Sequence, residues 1–144
     1  MDPKAVLGSF HDFLKKPRAR LLRSFNKGDS IRCISWNPTG TLIATGAVDK
    51  TLRVWNPEKP SVRNTTDLKG HSASIEKVAF NPVKDAELCS VSADGVLKIW
   101  DVRAGKCINE VSGLGSAVSL AWHPDGTSII VGNKVSPTSL GPRS

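Results

Sequence analysis

The chain has 144 residues, 39 % of them hydrophobic, with 12 glycines and a formal net charge of +7. That composition lies in the ordinary globular range and excludes a wholly disordered polymer. No apolar run approaches the ~18 residues of a membrane span, and the start lacks the apolar stretch of a secretory signal, so a soluble, intracellular protein without a membrane partner is expected.

The positive charge sits at the ends. Residues 1–27 carry seven Lys/Arg against two Asp, and residues 133–144 carry Lys134 and Arg143 with no acid, which leaves the stretch between them neutral. Within the first 25 residues, the basic N-terminal arm, Val6, Leu7, Phe10, Phe13 and Leu14 recur at helical spacing until Pro17 interrupts them, which predicts a short amphipathic helix. The cluster that follows contains Lys15, Lys16, Arg18, Arg20 and Arg23. Such a cluster can contact nucleic acid, an acidic protein or an import receptor, or can stand as a solvated lead into the first strand.

From Ser30 onward three segments align: SIRCISWNPTG (30–40), SIEKVAFNPVK (74–84) and AVSLAWHPDG (117–126). Trp36, Phe80 and Trp122 are 44 and 42 residues apart, while Asp49 to Asp94 and Trp55 to Trp100 are each 45. In each segment large residues alternate with small ones: Ile34 and Trp36 around Ser35, Val78 and Phe80 around Ala79, Leu120 and Trp122 around Ala121. Successive side chains of a strand face opposite sides, so each sheet would offer one bulky and one shallow face, and such faces nest. Asn37-Pro38-Thr39-Gly40 and His123-Pro124-Asp125-Gly126 then mark turns. Second strands follow at 42–45, 88–91 and 128–131, and third strands at 51–55 and 96–100 after tight turns at Asp49-Lys50 and Asp94-Gly95. Fourth strands are expected around 62–68 and 107–111. The tail from 134 to 144, rich in Ser, Pro and Gly, has little to bury and is expected to be disordered.

A period of ~40–45 residues with four strands per repeat, opened by Gly70-His71 and closed by Trp100-Asp101, resembles the WD40 family of β-propellers. The expected fold is therefore all-β, a partial WD40 propeller of about two and a half four-stranded blades. Its units would be an arm (1–25), repeat one (26–69), repeat two (70–111), an incomplete repeat three (112–133) and the tail. At this length the chain is expected to be a fragment, a shortened isoform or the product of an imperfect gene model, with exposed strand edges and one uncovered apolar blade face.

The resemblance further implies a polar network that fastens a blade. In repeat two it would link His71, Ser90, Asp94 and Trp100. An imidazole can link a carboxylate to a hydroxyl, while an indole N–H only donates. Ser90 is favoured over Ser92 because repeat one also has a hydroxyl, Thr45, four residues before its turn Asp49. Repeat one holds a partial set, Thr45, Asp49 and Trp55, with Lys27 where the imidazole would stand. In repeat three Gly113, Val131 and Val135 occupy the positions of the imidazole, the hydroxyl and the turn carboxylate.

Two stretches go further. IWDVRAGKCINEV (99–111) and AWHPDGTSIIVGNK (121–134) are similar to the second and third repeats of the WD-repeat subunits of THO complexes, assemblies that couple transcription to mRNA packaging and nuclear export. This implies a nuclear, non-catalytic scaffold whose partners are other protein subunits of a THO-like complex. The second reading is RNA or DNA binding through the basic arm.

Catalysis is not expected. His71, Ser90 and Asp94 match a nucleophilic triad in type only, and no nucleophile elbow, zinc-ligand spacing or phosphate loop is present. No cofactor, metal or small-molecule substrate is implied. Cys33, Cys89 and Cys107 lack any Cys-x-x-Cys spacing and are expected to be reduced, buried packing residues. Asn64-Thr65-Thr66 matches the glycosylation acceptor pattern, which has no use without secretion.

Overall fold

The computed structural model describes residues 30–58 and 65–134. The expected helix, the basic cluster, Lys27, Asn64 and the tail beyond Lys134 lie outside the described residues. Within them the chain is all β, with ten strands. β1 (Ile31–Trp36), β2 (Ile43–Ala47), β3 (Thr51–Trp55) and β4 (Thr66–Lys69) form one antiparallel sheet in sequence order. β5 (Ile75–Phe80), β6 (Glu87–Ser92), β7 (Leu97–Asp101) and β8 (Lys106–Val111) form the second, and β9 (Ser116–Trp122) pairs with β10 (Ile129–Lys134). Two blades and the first half of a third are thus laid out in chain order, the partial WD40 propeller that the repeat spacing predicts. β10 runs three residues past the expected end at Val131, because its pairing with β9 resumes beyond a bulge, as far as Lys134 against Ser116.

The alternation of large and small residues decides how the sheets stack. On one face of blade one lie Cys33, Ala44, Leu52 and Val54; onto them pack Ile75, Val78, Phe80, Leu88 and Trp100 of blade two, making the main core. The next junction repeats the arrangement, with Val91 and Leu97 of blade two against Ala117, Leu120, Ile129 and Val131 of repeat three. Backbone and indole groups close the same seams: the Phe80 amide donates to Ser35 Oγ (3.2 Å), and Trp122 Nε1 donates to the Ala79 carbonyl (3.0 Å).

Equivalent positions in the two junctions exchange size. Cys33 pairs with Gly46 and Lys77 with Val91 across the first and second strands of their blades, so Gly46 and Val91 correspond. Gly46 receives Ile75, whereas Val91 packs against Ala117, the residue that corresponds to Ile75. A Cβ on Gly46 would stand 2.5 Å from Ile75 Cγ2 and 2.6 Å from Cys33 Sγ, closer than packed atoms tolerate. The first strands also share a bulge, at Arg32, Glu76 and Val118. Two of those bulged side chains meet across the junction, Arg32 Nη2 to Glu76 Oε2 at 3.0 Å.

Gly46→Ala should therefore destabilise the chain by about 1–3 kcal/mol through overpacking. Ile75→Ala should cost less stability in the Gly46→Ala chain than in the parent, because it removes Cγ2, the methyl carbon nearest the clash. Chemical denaturation of the single and double variants measures this; equal stability of Gly46→Ala and the parent would contradict the packing described.

Candidate functional site

The polar set of repeat two lies on the face of blade two that is turned toward blade one, where Ser90 pairs across the strands with Val78. Its members come from three elements: Ser90 from β6, Trp100 from β7 and His71 from the turn before β5. Trp100 Nε1 donates to Ser90 Oγ (2.8 Å), and His71 Nε2 lies 2.6 Å from the same hydroxyl. All three side chains are buried. One hydroxyl thus serves two rings, which is possible because it donates once and accepts twice. Glycine suits the Gly-His pair because φ at Gly70 is +155° and a Cβ there would stand only 3.2 Å from Trp100 Cη2.

Asp94 stands apart from this set. It is exposed in the turn between β6 and β7 and accepts from the Ser92 hydroxyl, not from His71. His71 Nδ1 is buried and has no hydrogen-bond partner among the described residues. The expected four-member relay therefore divides into a buried His71–Ser90–Trp100 trio and a Ser92–Asp94 turn bond. The Val96 carbonyl also lies 3.2 Å from Ser92 Oγ across the turn and shares its one hydroxyl proton with Asp94.

Blade one solves the same problem without an imidazole among the described residues. Trp55 Nε1 donates to Thr45 Oγ1 (2.9 Å), which donates in turn to the Arg53 carbonyl (3.4 Å). The turn carboxylate of Asp49 is held by the Arg53 guanidinium (Nη2 to Oδ2, 2.5 Å), with Asp67 on the next strand at 4.0 Å. Arg53 and Asp67 pair across strands as Lys98 and Glu110 do in blade two, where those two also form an ion pair.

A second polar device escapes the sequence reading because Asn-Pro reads simply as a turn. Asn37 and Asn81 follow directly on β1 and β5 and are both buried. Asn37 Oδ1 accepts from the amides of Thr41 and Leu42 (2.8 and 2.9 Å), while its Nδ2 donates to the Asp85 carbonyl of repeat two (3.4 Å). Asn81 likewise accepts from the Val83 amide (2.9 Å) and donates to the Gly126 carbonyl of repeat three (3.0 Å). Each asparagine fixes its own turn and reaches the turn of the following repeat. The recurrence of Asn-Pro at 37–38 and 81–82 was the available signal.

The thiols are arranged for packing rather than chemistry. Burial pushes Cys33 up to about 11 and Cys89 up to about 12, so neither forms a thiolate at neutral pH. Cys107, expected to be buried, is only half-buried on β8. An apolar concavity of about 650 Å³ opens between blade two and repeat three, lined by Ile99, Val111, Leu114, Trp122, Ile129 and Val131 among others. Both THO-like stretches, 99–111 and 121–134, contribute to its walls.

Comparison with known proteins agrees with this geometry. The family model described as "WD domain, G-beta repeat" matches residues 19–56 and 62–101, more than half of the chain. The chain is 35 % identical to THO complex subunit 3 of Arabidopsis thaliana over 106 residues, which cover 72 % of this chain and 34 % of that protein. It is 35 % identical over 116 residues to the WD repeat-containing protein AAC3 of Dictyostelium discoideum, covering 67 % of this chain and 24 % of the relative. Nucleoporin Nup37 of Mus musculus is 29 % identical over 116 residues, 75 % of this chain and 35 % of that protein. The chain thus spans about a quarter to a third of the length of these relatives.

His71 generates a pH dependence. Burial, reinforced by the nearby Lys98 ammonium and partly opposed by Asp94 and Glu110, lowers it from 6.5 to about 4. As the pH falls through 6.5 the unfolded chain takes up a proton that the folded chain refuses until about pH 4. The unfolded state then binds more protons, so stability is complete above pH 6.5 and declines between 6.5 and 4. At 1.36 kcal/mol per pH unit, the decline is about 3 kcal/mol. Denaturation midpoints across that range should show it in the parent and lack most of it in His71→Gln; an identical pH profile in the two proteins would refute the assignment.

Proposed function

The chain belongs to the WD40 family of G-beta repeat proteins, and from that premise we propose that it acts as a non-catalytic protein-interaction scaffold within a THO-like complex in the nucleus, serving mRNA processing and export. WD40 repeats mediate protein–protein contact, and the site chemistry fits that role: the buried imidazole, hydroxyl and indole bond to one another and hold strands together. The observation that carries the finer reading is the similarity to THO complex subunit 3 over 106 residues. The two stretches that resemble THO subunits also meet across one apolar groove, which joins them into a single surface. Apolar concavities of this kind suit protein partners when rimmed by polar groups, here Lys84, Glu87 and Asp125.

Tagged chain should retain other THO-like subunits from nuclear extract, and deletion of residues 112–134 should abolish that retention. An unchanged pull-down after the deletion would count against the assignment.

A second reading rests on the charge of the arm. Lys15, Lys16, Arg18, Arg20 and Arg23 together can neutralise several phosphates of RNA or DNA, with Phe13 and Phe25 only flanking them. Binding of this kind loses affinity steeply with salt, the logarithm of the constant falling by about 0.7–0.9 per phosphate contact for each tenfold rise in salt. Removal of residues 1–24 should flatten that slope for a single-stranded RNA probe; binding that survives the removal unchanged would rule out the arm.

A further inference from the structure

Both internal junctions join a bulky face to the shallow face of the preceding repeat. The described residues leave one face of each kind uncovered, on opposite sides of the chain. On blade one, Ile34 and Trp36 are 59 % and 56 % exposed. They occupy the positions of Val78 and Phe80, buried against blade one, and of Leu120 and Trp122, set against blade two. On repeat three, Ser119, Ala121, Ile130 and Gly132 stand where blade one has Cys33, Ser35, Ala44 and Gly46, and Ile130 is 75 % exposed.

We propose that the two open faces are halves of one junction, so that the chain associates head to tail with a second copy of itself, the Ile34–Trp36 face of one copy seated on the Ala121–Ile130–Gly132 face of another. Continuity with the existing seams supports this. Ile31 of the incoming copy corresponds to Ile75, and Gly132 corresponds to Gly46, the glycine that admits Ile75. The Trp36 indole corresponds to that of Trp122, which donates to the Ala79 carbonyl; its acceptor in the new seam is the Ala121 carbonyl. The fit is looser in one respect, since Ile130 is larger than Ala44 or Cys89 and raises the receiving face. Repeat three also presents two strands among the described residues where blade one presents four. The association is therefore weaker than the internal junctions and depends on concentration.

A contact between two different faces either closes into a ring or continues as a filament. That asymmetry provides a test independent of any THO-like role. Both Trp36 and Ile130 are exposed, so Trp36→Glu and Ile130→Glu leave the blade cores intact, which equal thermal midpoints would verify. Sedimentation of the parent chain should show average mass rising with concentration. Each variant alone should associate at least about tenfold more weakly, since a charge would be buried in the seam. An equimolar mixture should form a one-to-one dimer and stop there, because each variant keeps one intact face. A parent chain that stays monomeric at every concentration, association that survives Trp36→Glu, or a mixture that fails to pair would each overturn the proposal.

Discussion

Everything in this structure rests on the seating of a bulky strand face on a shallow one. The seams between sheets contain the core, so no blade has an independent interior: Ile75 is buried where Gly46 makes room opposite it, and Phe80 and Trp100 are buried in the cluster that Ala44 of blade one completes. Apolar burial at about 25 cal/mol per Å² rewards this nesting, but only where side-chain volumes on the two faces complement each other. The exchange of Gly46 and Ile75 for Val91 and Ala117 shows that complementarity, rather than identity, is what successive repeats preserve. The repeats differ in sequence where the seams differ in shape.

The polar trio is subordinate to that packing and ties together three elements of blade two. Ser90 and Trp100 sit on the face turned toward blade one, so a hydroxyl and an indole N–H enter an otherwise apolar seam. Each satisfies the other, and His71 closes over them from the preceding turn. Loss of a member would leave a buried donor or acceptor unpaired, at about 1–3 kcal/mol. Blade one reaches a comparable result with Thr45 and Trp55, and ties down its turn carboxylate with the longer, permanently charged Arg53. A guanidinium does not titrate as an imidazole does, so the two blades respond differently to acid although their strands superpose in order.

Strand order, blade count and the face assignment of Trp36, Phe80 and Trp122 could be read in advance because they depend on period and alternation, which are properties of the chain alone. The choice of Ser90 over Ser92 was legible because Thr45 stands at the matching distance from Asp49, while its link to Trp100 is what the family resemblance implies. Asp94 was harder. Whether a carboxylate turns toward Ser92 or His71 depends on side-chain torsions within one hairpin, to which the spacing of residues is blind. The asparagine links were hidden differently, since Asn-Pro already explains a turn by itself, and only the coordinates reveal that the same amide reaches the following repeat.

Those asparagine links have a direction. The donor always belongs to the earlier repeat and the acceptor carbonyl to the later one, Asn37 to Asp85 and Asn81 to Gly126. The donor's orientation is set by amides of its own turn. The ordering of each amide is thus achieved within one repeat, and joining the next repeat adds a hydrogen bond without fixing a further side chain.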